Sequence, residues 1–285
     1  MIAAHAFLQT ILEQPEADAP RLVYADWLDE QGNPLGELVR VQCQLACLHE
    51  KDPRREPLCR RQEQLFEQFG PLWHGPVQEL GLSGKFQRGL FEVTVTGART
   101  LLDVADRLFA LPSVLHVNLR DGALDRDTLR ALAKSPVFQR LRQLDLQRSH
   151  VTNDGINILC SSPYRGRFTK LMLGHTQISS LAARLLVNAF DLSNLTELSL
   201  CFNGIGEGGA RHLAKCPQLT RLRVLDLSNN RIQSDGAVYL AESQYLNQLR
   251  LLDVRGNNIR RSAKRSLRGK YGPRVQISNT GYYSF

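Results

Sequence analysis

Aliphatic residues recur along the C-terminal two thirds of the chain in the spelling L-x-x-L-x-L-x-x-N-x-I/V. The pattern begins at Val114, Leu141, Phe168, Leu195, Leu222 and Leu249, each 27 residues after the last. Leu195-Leu198-Leu200-Asn203-Ile205 and Leu222-Leu225-Leu227-Asn230-Ile232 fit it completely, Leu249-Leu252-Val254-Asn257-Ile259 departs by one conservative change, and a degenerate copy, Leu90-Val93-Val95, precedes them. Alternation in the L-x-L core predicts a short strand whose leucines point to one side while their neighbours point to the other. The second half of each unit has helical spacing: Gly209-Ala210 leads to Leu213-Ala214, and Gly236-Ala237 leads to Leu240-Ala241. Small residues at each helix start are expected to let the helix approach the sheet closely. A fixed period in this range predicts a solenoid. The few aliphatic groups of one unit cannot offset the entropy of ordering it, so the units must stack. The Asn column at 203, 230 and 257 supplies amide donors and acceptors to the buried turn that leaves each strand. Gly122, Ser149 and Thr176 stand there in earlier units. They offer less, so those turns are expected to be less regular.

The repeat spelling resembles the leucine-rich repeat, and its length with a helical second half is most similar to the ribonuclease-inhibitor-like subclass. That resemblance implies an α/β solenoid, a right-handed superhelix with the parallel sheet on its concave face and the helices on its convex face.

Residues 1 to about 80 read as short helices. The first spans Ala6-Phe7 to Leu12; the second opens after Asp18, read as its cap before Pro20, and stops near Gly32. A third starts at Asn33-Pro34, and a fourth runs from about Glu56 until Pro71-Leu72-Trp73 ends the helical region. Within this stretch, Pro20-Arg21-Leu22-Val23-Tyr24-Ala25-Asp26-Trp27-Leu28-Asp29-Glu30-Gln31-Gly32-Asn33-Pro34, followed by Gly36-Glu37-Leu38-Val39-Arg40-Val41-Gln42, resembles the bacterial repeat-companion domain. Trp73 and Phe86-Gln87-Arg88-Gly89-Leu90 match the way that domain runs into its repeats. The resemblance implies no activity of its own for this region. The expected organisation is a helical repeat-companion and capping domain over 1–85, then a leucine-rich-repeat solenoid with a basic C-terminal cap over 86–285. An open solenoid end exposes leucines and an unpaired strand, which a helical cap and the strand Phe91 to Thr96 would cover. Asp26, Asp29, Glu30 and Glu37 are read as structural, Asp29 and Glu30 as a solvated helix end and Asp26 as a partner for nearby backbone or Arg40.

Composition narrows the setting. The six cysteines, at 43, 47, 59, 160, 201 and 216, form no framework of paired spacings. The start carries Glu13, Glu16 and Asp18 in place of a basic region and an apolar run, so no signal peptide is expected. No stretch is apolar enough to span a membrane, and a cytoplasmic protein with free thiols is the expectation. Cys43, Cys47 and Cys59 around His49 lack a C-x-x-C knuckle and are read as structural, with no metal expected. The net charge of +8 belongs wholly to the segment from Arg250 onward, which holds nine basic residues and one acid, Asp253.

The chain contains no G-x-S-x-G, H-E-x-x-H or Walker loop, and the spelling G-x-G-x-x-G occurs once, from Gly204 to Gly209. Gly204-Ile205-Gly206-Glu207-Gly208-Gly209 falls at a fixed repeat position, and His150 and His175 lie just past their strands without an acid or nucleophile in a motif. A non-enzyme without cofactor is expected. Binding is expected on the strands' outward columns, where the core requires no particular residue. One column reads His116, Gln143, Lys170, Glu197, Val224, Leu251; the next reads Asn118, Asp145, Met172, Ser199, Asp226, Asp253. Large apolar groups there suggest a partner's anchor site, and the expected partner-binding residues are Lys170, Met172, His175, Phe202, Val224 and Leu251. The leading function is a scaffold for an unidentified protein partner. A second is polyanion binding, to RNA or an anionic lipid surface, through Arg261, Lys264, Arg265 and Arg268, with Tyr271, Tyr282 and Tyr283 either stacking on bases or covering the last repeat. Weak nucleic-acid retention is the expectation for that cap. A third, inhibition of an enzyme, rests on fold analogy alone.

Overall fold

The computed structural model describes residues 6–8, 10–11, 14, 17–111, 114–120, 124–164 and 168–278. Leu12, Gly122, Tyr282 and Tyr283 lie outside the described residues. The chain forms two compact units, one comprising residues 1–95 and 103–117, the other 96–102 and 118–285.

In the first unit, residues 6–8, 10 and 11 are helical, followed by α1 (Ala19–Glu30), α2 (Leu35–Cys47) and α3 (Arg55–Gln78). Strands β1 (Ser83–Gln87) and β2 (Leu90–Thr96) then form an antiparallel hairpin. Asn33 starts α2 as its sequence suggests, its Oδ1 accepting the Leu35 N–H at 3.0 Å. Two expectations fail here. Asp18 does not cap α1 with its side chain; its carboxylate accepts instead from the Arg88 guanidinium at 3.1 Å and the Cys47 thiol at 3.3 Å. A guanidinium is a stronger partner for a carboxylate than a backbone amide. Nor does Pro71 end the helical region: α3 continues through Pro71 and Pro76 to Gln78. A proline inside a helix costs about 3 kcal/mol. Here the continued helix buries Trp73 and Val77, with the Trp73 ring against Phe66, Phe69 and Phe86. The buried Gln42 ties α2 to the hairpin, donating to the Phe86 carbonyl and accepting from the Gly89 N–H. Gly89 has φ +81°, and a Cβ there would stand 2.1 Å from Val39 Cγ2. Arg40 joins Asp26 at 2.6 Å and also Asp29, so the acid at that helix end is paired as well as solvated.

Helix α4 (Ala98–Phe109) and strand β3 (Val114–Arg120) are divided between the units. The second unit then repeats strand and helix: α5 (Arg126–Lys134), β4 (Leu141–Asp145), α6 (Thr152–Cys160), β5 (Lys170–Met172), α7 (Ser180–Ala189), β6 (Glu197–Ser199), α8 (Gly206–Ala214), β7 (Val224–Asp226), α9 (Gln233–Glu242), β8 (Leu251–Asp253), α10 (Arg261–Tyr271) and β9 (Val275–Gln276). From β4 to β9 every pairing is parallel and between successive strands, with a register offset of one full repeat from β4 through β8. This is an α/β solenoid. The strand leucines and the isoleucines past each turn, Ile178, Ile205, Ile232 and Ile259, are buried. A second buried column runs through the helices at Leu132, Leu159, Leu186, Leu213, Leu240 and Leu267. Phe138, Phe168 and Phe190 fill the earlier repeats, packing edge-on or tilted at 5.5–6.2 Å.

The asparagine column works between repeats as well as within one. Asn203 Nδ2 donates to the carbonyls of Leu200 and Cys201 in its own turn and of Leu173 in the preceding repeat, while Oδ1 accepts from Thr176 and Ile178. Asn257 repeats the arrangement on Val254, Arg255, Leu227, Asn230 and Ile232. Among the described residues, the Ser149 and Thr176 hydroxyls reach the carbonyls of Leu146 and Leu173, just past their own strands, and beyond them Thr176 makes one long contact of 3.4 Å to Asn203. Their turns nevertheless keep the backbone of the later ones: Arg148, His175, Phe202, Asn229 and Gly256 all have φ between 52° and 69°. The inter-repeat ladder holds that conformation, because His175 N–H donates to Cys201 O, Phe202 N–H to Ser228 O and Asn229 N–H to Arg255 O, each at 2.8–2.9 Å.

The helix-start glycines serve a contact other than the one expected. A Cβ on Gly236 would meet Ile232 Cγ2 at 2.4 Å, then Ala210 Cβ and Glu207 Cα at 3.2 Å, all helix and turn atoms rather than the sheet. Gly209 stands likewise against Ile205, Ala183 and Ser180. Small residues here let each helix lie close on the helix of the preceding repeat.

Candidate functional site

Residues alternate along a strand, so those flanking each buried leucine project to the face away from the core. The observed register stacks them as the repeat demands. Gln143, Lys170, Glu197, Val224 and Leu251 form one column, and Asp145, Met172, Ser199, Asp226 and Asp253 the next. Lys170, Met172, Val224 and Leu251 are half-buried there. Lys170 Nζ lies 2.8 Å from Glu197 Oε1, its neighbour in the column. Met172 stands between Asp145 and Ser199.

Two repeats supply an aromatic pair at the strand ends. His175 and Phe202 stack with ring centroids 4.2 Å apart and planes inclined by 14°, a spacing set by adjacent parallel strands. Desolvation, with the positive charge of Arg148 adding to it, holds the His175 imidazole below the ordinary histidine value. A neutral ring therefore faces Phe202 at pH 7. The left-handed backbone at both positions recurs in every described turn of this column, so it reflects turn geometry and not a local strain. All six residues expected on this face thus stand on strands β5–β8 or the turns after them.

Acids on the same face recur at the strand ends, where they serve the turn. Asp145 accepts the Gln147 N–H at 3.1 Å, Asp226 the Ser228 N–H at 2.9 Å, and Asp253 the Arg255 N–H at 3.0 Å. Burial pushes the Cys201 thiol up to about 11, so the thiol between these columns is a weak nucleophile.

The basic residues lie elsewhere, on the last helix. Ala263, Leu267 and Tyr271 form the buried stripe of α10, leaving Arg261, Arg265 and Arg268 exposed and Lys264 half-buried. Tyr271 covers the last repeat: it is buried and its hydroxyl donates to the Leu240 carbonyl at 2.8 Å. Burial pushes its phenol up to about 12. Lys270 donates to Ser243 O and Arg274 to Leu249 O, so two of the nine C-terminal cations close the solenoid end. Strand β9 covers the edge of β8, Val275 pairing with Leu252, at a spacing shorter than the repeat.

A cleft of about 690 Å³ opens in the first unit, its apolar lining including Leu22, Leu48, Pro57 and Leu58. Sequence reading placed no site there. The charged groups at its rim are engaged within the unit: Arg40 with Asp26 and Asp29, Arg54 with Asp52, and Asp18 with Arg88. Nearby Cys43 and Cys47 are free thiols; burial pushes Cys43 up to about 12. Among the described residues no group of three His, Cys, Asp or Glu side chains is placed to hold a metal ion, and no helix is long and apolar enough to cross a membrane.

Comparison with protein families agrees with the repeats of this architecture. The family described as Leucine Rich repeat matches residues 191–214 and 218–241, which hold β6 with α8 and β7 with all but the last residue of α9. No curated protein matches the chain. Among solved structures, a Bacteroides fragilis protein determined as a structural-genomics target is similar over 64% of this chain and 73% of its own, at 12% identity and a TM-score of 0.32. The chain carries at least two leucine-rich repeats within its α/β solenoid.

Proposed function

We propose that the protein is a non-catalytic scaffold whose solenoid binds a protein partner on the outward, concave face of strands β5–β8. The observation that carries this reading is the run Met172, Phe202, Val224 and Leu251, half-buried on the face that the core does not use. Apolar and aromatic groups in such positions are the usual anchors of an interface. Leucine-rich repeats suit the role, because a stacked solenoid presents an extended rigid surface. The first unit, by its resemblance to the repeat-companion domain, serves as a cap, and the solenoid winds as a right-handed superhelix. A cytoplasmic location suits six free thiols.

Phe202→Ala and Met172→Ala should leave the melting temperature unchanged and weaken partner binding by roughly 1–2 kcal/mol or more each if they are hot spots. The partner is obtained by affinity capture on the full chain from the native host, and titration of that purified protein gives the affinities. A stability loss of about 2–5 kcal/mol, typical of a leucine-core deletion, would instead make these side chains part of the core. The exposed guanidinium groups of Arg261, Arg265 and Arg268 favour polyanion binding as a second reading. Replacing Arg261, Lys264, Arg265 and Arg268 by Gln should leave the protein partner bound. Submicromolar RNA affinity at about 150 mM salt, abolished by those four changes, would move the function to the last helix, since phosphate contacts of that strength survive such salt only when many are made.

A further inference from the structure

Acids on the outward face of the sheet differ in one respect that the repeat does not dictate. Asp145 pairs with Arg120 at 3.1 Å, Glu197 with Lys170 at 2.8 Å and Asp253 with Arg255 at 2.5 Å. Asp226 has no ion pair among the described residues; its Oδ1 accepts the Ser228 N–H at 2.9 Å and the Ser228 hydroxyl at 2.7 Å. It also sits directly opposite Asp253 in the register of β7 and β8. Like charges facing each other across adjacent strands destabilise a sheet, and the guanidinium of Arg255 is bonded to Asp253.

The fold does not need this charge. An amide oxygen can also accept the Ser228 N–H, through a weaker bond than a carboxylate makes, and Ser199 occupies the same column position in β6 without an acid. The surroundings fit a cation with an apolar stem. Val224 precedes Asp226 on the same face and pairs with Leu251 on the next strand, giving a half-buried aliphatic floor. On the other side, Phe202 N–H bonds to the Ser228 carbonyl, which brings its ring, stacked on His175, to the end of the same strand.

We propose that Asp226 is the recognition carboxylate for an arginine of the partner. The arginine's stem lies over Val224 and Leu251, its guanidinium meets the carboxylate, and an apolar neighbour in the same segment packs toward Phe202 and Met172. A planar guanidinium matches a carboxylate with paired donors and is attracted to an aromatic face. The occupant is therefore a polypeptide segment carrying arginine beside an apolar residue. This inference rests on the reading of the face as a protein-binding site.

A random peptide library displayed on phage and selected on the full-length protein tests it. Selected peptides should share an arginine next to an aliphatic or aromatic residue. Asp226→Asn, which keeps the turn's acceptor and the side-chain shape, should weaken their binding tenfold or more with a melting temperature no lower than that of the wild type. Changing the peptide's arginine to glutamine gives the same loss without touching the protein, which keeps the test valid should the variant fold poorly. Peptides that lose affinity with Met172→Ala and Phe202→Ala but ignore Asp226→Asn, or lack a basic residue, would overturn the role of Asp226 and leave the face reading intact. Peptides indifferent to all three substitutions, or no selected peptide at all, would overturn both.

Discussion

Asn230→Ala should destabilise the repeat array by about 3 kcal/mol or more. The side chain is fully buried. Its Oδ1 accepts the Ile205 N–H at 3.2 Å, and its Nδ2 donates to the Leu200 carbonyl at 2.8 Å and the Ser228 carbonyl at 3.0 Å. Alanine leaves the Ile205 N–H without its acceptor in a turn closed to water, and takes one of two donors from each carbonyl, Leu200 keeping Asn203 Nδ2 and Ser228 keeping the Phe202 N–H. Each buried polar group left unsatisfied costs about 1–3 kcal/mol, and neighbouring losses do not simply add. Because two of the three groups belong to other repeats or to their junction, the damage reaches beyond one unit. Asn230→Ser should recover part of the loss, as the Ser149 hydroxyl satisfies the Leu146 carbonyl at the equivalent place. Urea unfolding of both variants beside the wild type checks the order. A loss below about 1 kcal/mol for the alanine variant would mean that water enters the turn and that the asparagine column does not join the repeats.

Removing residues 1–89 should have the next largest effect. Strand β2 would lose β1, its antiparallel partner from Ser83↔Thr94 to Gln87↔Leu90. Leu90, Phe91, Val93 and Val95 are all buried, and Phe91 would lose the rings of Phe86 and His74 that pack on it. An apolar edge strand without a partner is a template for aggregation. The fragment should be recovered as aggregate, or as a soluble protein melting roughly 10 °C lower, the shift expected for about 3 kcal/mol in a domain of this size. A monomeric fragment as stable as the full chain would assign the first unit a separate binding role and not a capping one.

The solenoid was legible because two simple periods reinforce each other. Alternation within L-x-L decides which side chains enter the core, and the 27-residue repeat then fixes the register, so that Lys170 meets Glu197 and Val224 meets Leu251 as the columns require. The same columns contained the signal for the Lys170–Glu197 ion pair and for the His175–Phe202 stack, since both join equivalent positions of successive repeats. Other features depend on distance between residues that no period relates. Asp18 looked like a helix cap because nothing local reveals Arg88 and Cys47 beside it. Pro71 looked like a helix end because the gain from burying Trp73 and Val77, two and six residues later, is tertiary. Which acid keeps an unanswered charge was equally hidden, because the cations of Asp145 and Asp253 reach in from the neighbouring column at Arg120 and Arg255. The cleft around Leu22, Leu48 and Leu58 draws on three helical segments with no shared pattern. Strand β9 escaped because Val275 breaks the period that announces its predecessors.

Hydrogen exchange of the full chain, free and saturated with its captured partner, tests most directly whether the sheet's outward face is the binding surface. Binding should slow exchange at the strand ends and turns of successive repeats, in residues 170–176, 197–203, 224–230 and 251–257, leaving the last helix and the first unit unchanged. Slowing confined to residues 260–274, or to the helices around the cleft in residues 18–60, would contradict the account and place binding on a surface to which it assigns no protein partner.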